Sequence, residues 1–444
     1  MSPERVDVVV VGGGACGLMA ALLASANPDL VVALFEKDTH EGCNAAISSG
    51  SLAAAGTRFQ REAGIEDTPE QMAADILAES GDPARADLVH ALCRVAPQIV
   101  EWLADAGYPI EIGLNLPRAG MSAIRLHADR GREGGGRLIG FLRELLEARD
   151  NAAFVDRSPV VELITEQGRV VGVVTEQNGV REEVFADTVV LASDGFGNNP
   201  GLMRRYCADL GDPFYGGVST STGDAVTWLE GLGASFANMG SCLRHGLVVA
   251  KHGTRVSPSL QFYGAVMINT DGERFHDEES LGYSPLAEVI RAQPGERALM
   301  VWDDTAMAEV WDTELMRESV QAGAFARASD VAELARRTRI NPALLEVALR
   351  ARTGRRQVTA PYWFAWITHG VLTTQGGVEI DTRGRPLRTD GTVIEGLRAG
   401  GGTAVGISGP DSDGYMSGNG LLAALGMGWI IGNELAGQSP GAVV

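Results

Sequence analysis

The chain has 444 residues, 57 of them glycine, about 13 % against a usual share of about 7 %. A hydrophobic fraction of 45 % with no G-X-Y period excludes collagen and disorder, so the glycine excess calls for tight turns or close approach to a ligand. A formal charge of −20 and an aromatic share of 6 % argue against nucleic acid and anionic membranes as partners, because such a surface repels phosphate and offers few rings for base stacking.

Residues 6–11 are branched and apolar and read as a buried parallel strand. Gly12-Gly13-Gly14-Ala15-Cys16-Gly17 follows as G-x-G-x-x-G, then a helical stretch over 18–26 and a second strand over 30–35 that ends in Glu36. Gly12 makes the tight turn, Gly14 lets the backbone approach a pyrophosphate, and Gly17 lets the helix pack on the strand. The helix N-terminus faces the phosphates and Glu36 accepts the ribose hydroxyls, which together predict a dinucleotide site.

Residues 42–50, with Cys43, Asn44, Ala45, Ser49 and Gly50, form a small polar loop rather than the next βα unit. Leu88, Leu92, Val95, Ile99 and Leu103 recur at helical spacing, so 85–106 is an amphipathic core helix. Arg125 and His127 alternate with Leu126 and share one strand face in a basic cluster that runs to Arg132, ahead of a helix over 136–148. That cluster fits either a substrate carboxylate or a structural pair with Asp129 or Glu133. Residues 159–165, 170–176 and 184–185 read as a three-stranded meander, with a returning strand over 188–192 that runs into Ser193-Asp194-Gly195. Segments 330–337 and 342–352 read as helices, and 418–436 as a helix opened by glycines. The five cysteines form no CxxC or CxxCH, which removes zinc ribbons, c-type haem and cysteine-rich clusters and leaves no metal expected. Their odd, scattered count fits a reducing cytoplasm, and no apolar run is long enough for a membrane span.

The strand, turn and meander arrangement resembles the glutathione-reductase-type FAD domain. Further motifs sharpen the resemblance: Leu191-Ala192-Ser193-Asp194-Gly195-Phe196-Gly197, Ser221-Thr222-Gly223-Asp224-Ala225, Asp271-Gly272-Glu273-Arg274-Phe275, Thr374-Gln375-Gly376-Gly377 and Gly418-Asn419-Gly420-Leu421. With them the chain resembles the flavoprotein family of fumarate reductases, tricarballylate dehydrogenases and 3-ketosteroid Δ1-dehydrogenases. The resemblance implies an α/β fold, a Rossmann-like parallel sheet plus β-meander with an inserted α+β cap: 1–239 and 374–444 as the FAD-binding domain, 240–373 as the cap. It implies FAD held by Gly12, Gly14, Ala15, Gly17, Glu36, Lys37, Asn44, Ala45, Ser49, Gly50, Val160, Ala192, Asp194, Gly195, Gly223, Asp224, Gly402, Asn419, Gly420 and Leu421. Membrane-bound members attach FAD to a histidine at the place of Asn44, so noncovalent FAD is expected.

The substrate residues of fumarate reductases are mostly missing. One histidine matches His245, the second falls on Thr373, the clamping arginine on Tyr415, and the proton-donor arginine near Gly282 and Tyr283. Tyrosine at the last two places points to the ketosteroid dehydrogenase branch, where one tyrosine hydrogen-bonds the carbonyl and another takes the α-proton. Tyr415, Tyr283 and His245 are then the expected catalytic residues, with Arg125, His127, Arg244, Thr373 and His369 as further substrate candidates. Tyr415 also reads as a loop tyrosine, Tyr283 as a helix cap and His245 as a hinge residue.

The leading expectation is an FAD-dependent oxidoreductase moving a hydride between flavin N5 and a carbon–carbon bond beside a carbonyl, as in α,β-dehydrogenation of a ketone. Its alternatives are a tricarballylate-dehydrogenase- or fumarate-reductase-like enzyme acting on a polycarboxylate, and a non-catalytic flavin electron-transfer or binding subunit. The electron acceptor is expected to be external: a quinone, a soluble carrier or dioxygen.

Overall fold

The computed structural model describes residues 4–131, 133–211, 213–350 and 356–438; Arg132 and the last two residues of the expected helix over 342–352 lie outside them. Strand Glu4–Val11 lies between Val32–Phe35 and Val180–Leu191, parallel to both, and Ala152–Val155 and Leu397–Ala399 extend the parallel sheet. Val8 to Val11 are all buried, the near-continuous branched run that a sheet covered on both faces requires. Val160–Glu166 and Arg169–Gln177 add antiparallel strands to the first half of Val180–Leu191.

That last strand corrects the expected break between 185 and 188. It is continuous over 12 residues, because Arg5, Val6 and Val8 pair with Phe185, Ala186 and Thr188 straight across the junction. One edge therefore belongs first to the meander and then to the parallel strand Leu397–Ala399.

Helix Ala15–Ala24 is buried at every residue, since the final helix, Asn419–Leu435, covers the side that the sheet leaves open. The helices touch at backbone distance through glycine. A methyl group at Gly428 would lie 2.5 Å from the Cys16 carbonyl oxygen, and one at Gly432 would lie 2.8 Å from that of Ala20.

A second sheet is built on Tyr362–Thr374, which pairs with Phe214–Tyr215, Cys242–Val249, Arg297–Asp303 and Ala326–Ala328, while Val266–Ile268 closes the far edge. Both faces are covered. Ala298, Met300 and Trp302 enter one apolar core, and Leu299 and Val301 enter the other with Leu334 and Leu345 of helices Val331–Thr338 and Pro342–Arg350. Cys207 and Cys242, distant in sequence, meet here as buried free thiols with their Sγ atoms 3.6 Å apart. Among the described residues, no helix is long and apolar enough to cross a membrane.

The helix contact yields a two-sided test in denaturant unfolding. Gly428→Leu is expected to cost about 1–3 kcal/mol by overpacking. Gly140→Ala, on helix Gly135–Glu147 with nothing within 4 Å of the added methyl, is expected to gain about 0.5–1 kcal/mol.

Candidate active site

The first strand ends on Gly12 at φ +105, where a Cβ would stand 2.3 Å from the Ala192 carbonyl oxygen. At Gly17 a Cβ would stand 1.9 Å from the Gly12 oxygen, so this glycine seats helix Ala15–Ala24 on the strand and does not itself line the cavity beyond. Gly14 differs. The nearest atom to its Cβ position is 3.8 Å away, which leaves the start of the helix open with unpaired backbone N–H groups.

The cavity in front of it is lined by Gly12, Gly14, Ala15, Glu36, Lys37, Cys43, Asn44, Ala45, Val160, Ala192, Asp194, Asp224, Gly402, Thr373, Tyr415, Gly420 and Leu421, together with residues that the sequence did not single out, such as Phe35 and Trp228. Glu36 is held by the turn itself: its Oε2 accepts the Gly13 N–H at 2.6 Å and its Oε1 accepts that of Asp38 at 2.9 Å. Lys37 donates to Thr222 Oγ1 at 2.7 Å and to Asp224 Oδ2 at 2.8 Å, linking two cavity-wall segments far apart in sequence. The Asn44 amide donates to Asp194 Oδ2 at 2.5 Å and Ser221 Oγ at 2.9 Å and accepts the Val218 N–H, so it is spent on the wall. The Cys43 thiol is pushed up to about 12 by burial and stays protonated.

Ser49, Gly50, Gly195, Gly223 and Asn419 stand behind the lining. Ser49 bonds Ser51, Gly50 packs on Gly134, Gly195 packs against Thr374 Oγ1, Gly223 turns at φ +72 and Asn419 donates to Ser408 at 3.4 Å. A glycine turn opening on a free helix N-terminus, a carboxylate at the end of the second strand and a long continuous cavity fit a dinucleotide.

The FAD binding domain family matches residues 7–420. The chain belongs to this family. It is 30 % identical to an NADH:fumarate oxidoreductase of Klebsiella pneumoniae over 99 % of its own length and 48 % of that protein's, so it spans about half of that relative. The open conformation of a flavocytochrome c3 fumarate reductase superposes with a TM-score of 0.81 at 26 % identity, covering 98 % of this chain and 79 % of that one. A 3-ketosteroid-Δ4-(5α)-dehydrogenase from Rhodococcus jostii RHA1, in complex with 4-androstene-3,17-dione, shares the fold at a TM-score of 0.76 and 22 % identity, over 98 % and 97 % of the two chains. FAD is the cofactor of this family, and the cavity is where this chain would hold it.

At the far wall Tyr415 follows the turn Ser412–Gly414 and is buried, its Oη accepting the Gly420 N–H at 3.2 Å from the first turn of the final helix. Tyr283 is the first residue of helix Tyr283–Arg291; the cap is Gly282. Its ring lies 6.1 Å from that of Tyr415 and stacks on His245 at 4.6 Å. Burial pushes the Tyr283 phenol up, while Ser417, Arg118, Tyr415 and Arg255 draw it back. Burial and the neighbouring Tyr283 hold the Tyr415 phenol well above its usual value. Burial, with Arg255 and Arg118 nearby, keeps His245 well below its usual range. The ring is neutral at pH 7, and because Nδ1 accepts the Leu247 N–H at 3.2 Å the proton sits on Nε2.

Four of the further substrate candidates are engaged elsewhere. Arg125 is fully buried, with Nε 3.0 Å from Asp67 Oδ2 and Nη1 2.9 Å from Asp75 Oδ2; the expected partners, Asp129 and Glu133, pair with Arg137 instead. His127 bonds Thr57 Oγ1 and the Arg125 carbonyl, and burial lowers it to about 4. Arg244 is neutralised by Glu288 at 2.9 Å, and His369 meets the exposed Glu296 at 3.2 Å. The alternation of Arg125 and His127 was right for one face, but the groups that claim them, Asp67 and Asp75 for Arg125 and Thr57 for His127, come from other segments. Among the described residues no group of three His, Cys, Asp or Glu side chains gathers to hold a metal.

The orientation of Glu36 sets a test of the cofactor end. Glu36→Ala is expected to weaken FAD binding by about 1.5–3 kcal/mol, roughly 10- to 100-fold, in fluorescence titration of the apoprotein.

Proposed function

We propose that this chain is an FAD-dependent oxidoreductase acting on a carbon–carbon bond beside a carbonyl, with Tyr283 exchanging the α-proton and Tyr415 holding the carbonyl side of the site. The observation that carries the reading is Tyr415 at the cavity wall, anchored by the backbone N–H of Gly420, with the ring of Tyr283 6.1 Å from it in the adjoining pocket. Bound FAD supplies the two-electron chemistry; the protein handles the proton.

Polar and charged groups gather about the Tyr283 phenol: Ser417, Tyr415 and the guanidinium groups of Arg118 and Arg255 all draw its pKa down against burial. Such an environment favours the phenolate relative to a bare buried phenol, and burial still leaves the phenol protonated at neutral pH. In the reducing direction Tyr283 gives its proton to the α-carbon; in the oxidising direction it removes that proton once ionised. Neutral His245, stacked on Tyr283, fixes the ring and adds no charge. A dicarboxylate grip of the fumarate-reductase kind has no support at Arg125 or Arg244, whose charges are matched by carboxylates of the chain.

Tyr283→Phe is expected to slow flavin oxidation or reduction by substrate about 10²- to 10⁴-fold with FAD content unchanged, in anaerobic stopped-flow absorbance. An unchanged rate would remove Tyr283 as the residue that exchanges the proton, and no flavin reaction with any substrate of the class would favour the electron-transfer reading. The raised phenol pKa sets the sign of the pH dependence. The oxidising rate should climb as pH rises through and beyond 10, whereas the reducing rate should hold through neutral pH and fall over the same interval. Since Asn44 offers no nucleophilic ring nitrogen to FAD, acid precipitation is expected to release all the yellow colour into the supernatant.

A further inference from the structure

A second, tight pocket adjoins the first, with Tyr415 in the wall of both; Arg118, Gln261, Tyr283, Ser417 and Glu79 also bound it. Arg118 lies on the segment that joins strands Ile110–Ile112 and Leu126–Asp129. Its Nε donates to Ser417 Oγ at 3.1 Å, and its Nη1 donates to the Pro117 carbonyl at 2.8 Å and to Ser259 Oγ at 2.6 Å. Ser259 belongs to the turn Pro258–Tyr263, so the guanidinium bridges two separate parts of the chain.

Every one of these partners is neutral. Nη2 donates to no described residue, and among the described residues no carboxylate oxygen lies within 4.0 Å of the group. Other arginines differ: Arg125, Arg244 and Arg274 each have a carboxylate within that distance. Among the described residues Arg255, the other cation acting on Tyr283 and His245, donates only to the Ile47 carbonyl, at 2.7 Å. Burial lowers Arg118 to about 10. Glu79, on the same cavity wall, is itself pushed up by burial and makes no ion pair with Arg118.

A cation held in place by neutral groups and left without a counter-charge favours an anionic ligand, and the free Nη2 of Arg118 can donate to a carboxylate oxygen. We propose that Arg118 is the substrate-anion site: the substrate is a carboxylic acid whose carboxylate docks on Nη2 of Arg118 beside Ser417, with its carbon chain against Tyr283 and Tyr415. This replaces the neutral ketone expected from the tyrosines alone. The α,β-position of the reacting bond rests on the function proposed above; the anion site does not. Arg118 and Arg255 are at none of the positions that the family resemblance assigned to substrate.

The test is equilibrium binding to the FAD-loaded protein of a panel of short-chain and aryl enoates, crotonate and cinnamate among them, each beside its neutral amide. Acids should bind about 10- to 100-fold more tightly than their amides, and Arg118→Gln should remove that preference while leaving the flavin spectrum intact. Arg118→Lys, which keeps the charge and loses the planar fork, should fall between. Amides binding as tightly as acids, acids binding undiminished to Arg118→Gln, or no acid binding at all would overturn the proposal. Reoxidation of the reduced flavin separates the two readings. Acids that bind through Arg118 and never reoxidise it sink the proposed reaction and leave the anion site standing. Enones and amides that reoxidise it as well as acids do sink the anion site and leave the reaction standing.

Discussion

The structure depends on one backbone contact: the α-carbon of Gly17 rests on the carbonyl of Gly12, with no room for a methyl group between them. That contact presses the first helix onto the first strand and leaves its N-terminus open at Gly14. The final helix then lies on the first through Gly428 and Gly432. Its own N-terminal turn is thereby carried to the cavity, with Gly420 lining the wall and donating its N–H to Tyr415. A chain of close contacts made possible by absent side chains connects the dinucleotide turn to the tyrosine pair. It gives the glycine excess its physical reason.

Around that frame, charge is compensated locally. Arg125 with Asp67 and Asp75, Arg274 with Glu278 and Arg244 with Glu288 are buried or half-buried cations whose counter-charges belong to the protein. Removing either partner of such a pair strands a charge in low dielectric, so these groups stabilise the fold and are poor candidates for holding a ligand. Arg118 stands out by contrast. It is positioned by hydroxyl and carbonyl oxygens that fix its direction without neutralising it. A site for an exchangeable anion needs a cation held in place and left unmatched.

Much of the fold was legible in local pattern. The strands expected over 6–11 and 30–35 are Glu4–Val11 and Val32–Phe35, with the glycine turn between them and Glu36 after them as predicted, because a buried parallel strand and a tight βα turn each impose a marked composition. The amphipathic helix expected over 85–106 is Ala86–Asp105 for the same reason. The single strand Val180–Leu191 was not legible, since its continuity comes from a neighbour that pairs across an otherwise unremarkable Ala186 and Asp187. Arg125 and His127 carried the right alternation and the wrong inference, because alternation says which face a residue shares and nothing about Asp67 or Asp75 arriving from elsewhere. Cys207 and Cys242 are scattered in sequence and adjacent in space.

The sequence by itself determined the cofactor end of this protein: a flavin dinucleotide is recognised by backbone, so the glycines and the acid that shape that backbone stand together within the first 36 residues. Only the tertiary structure decided the substrate end. Tyr283, Tyr415, His245 and Arg118 come from four separate segments. Whether an arginine there is a structural cation or an open one depends on which carboxylates the rest of the chain brings within reach. That is a property of packing, and no spacing in the sequence encodes it.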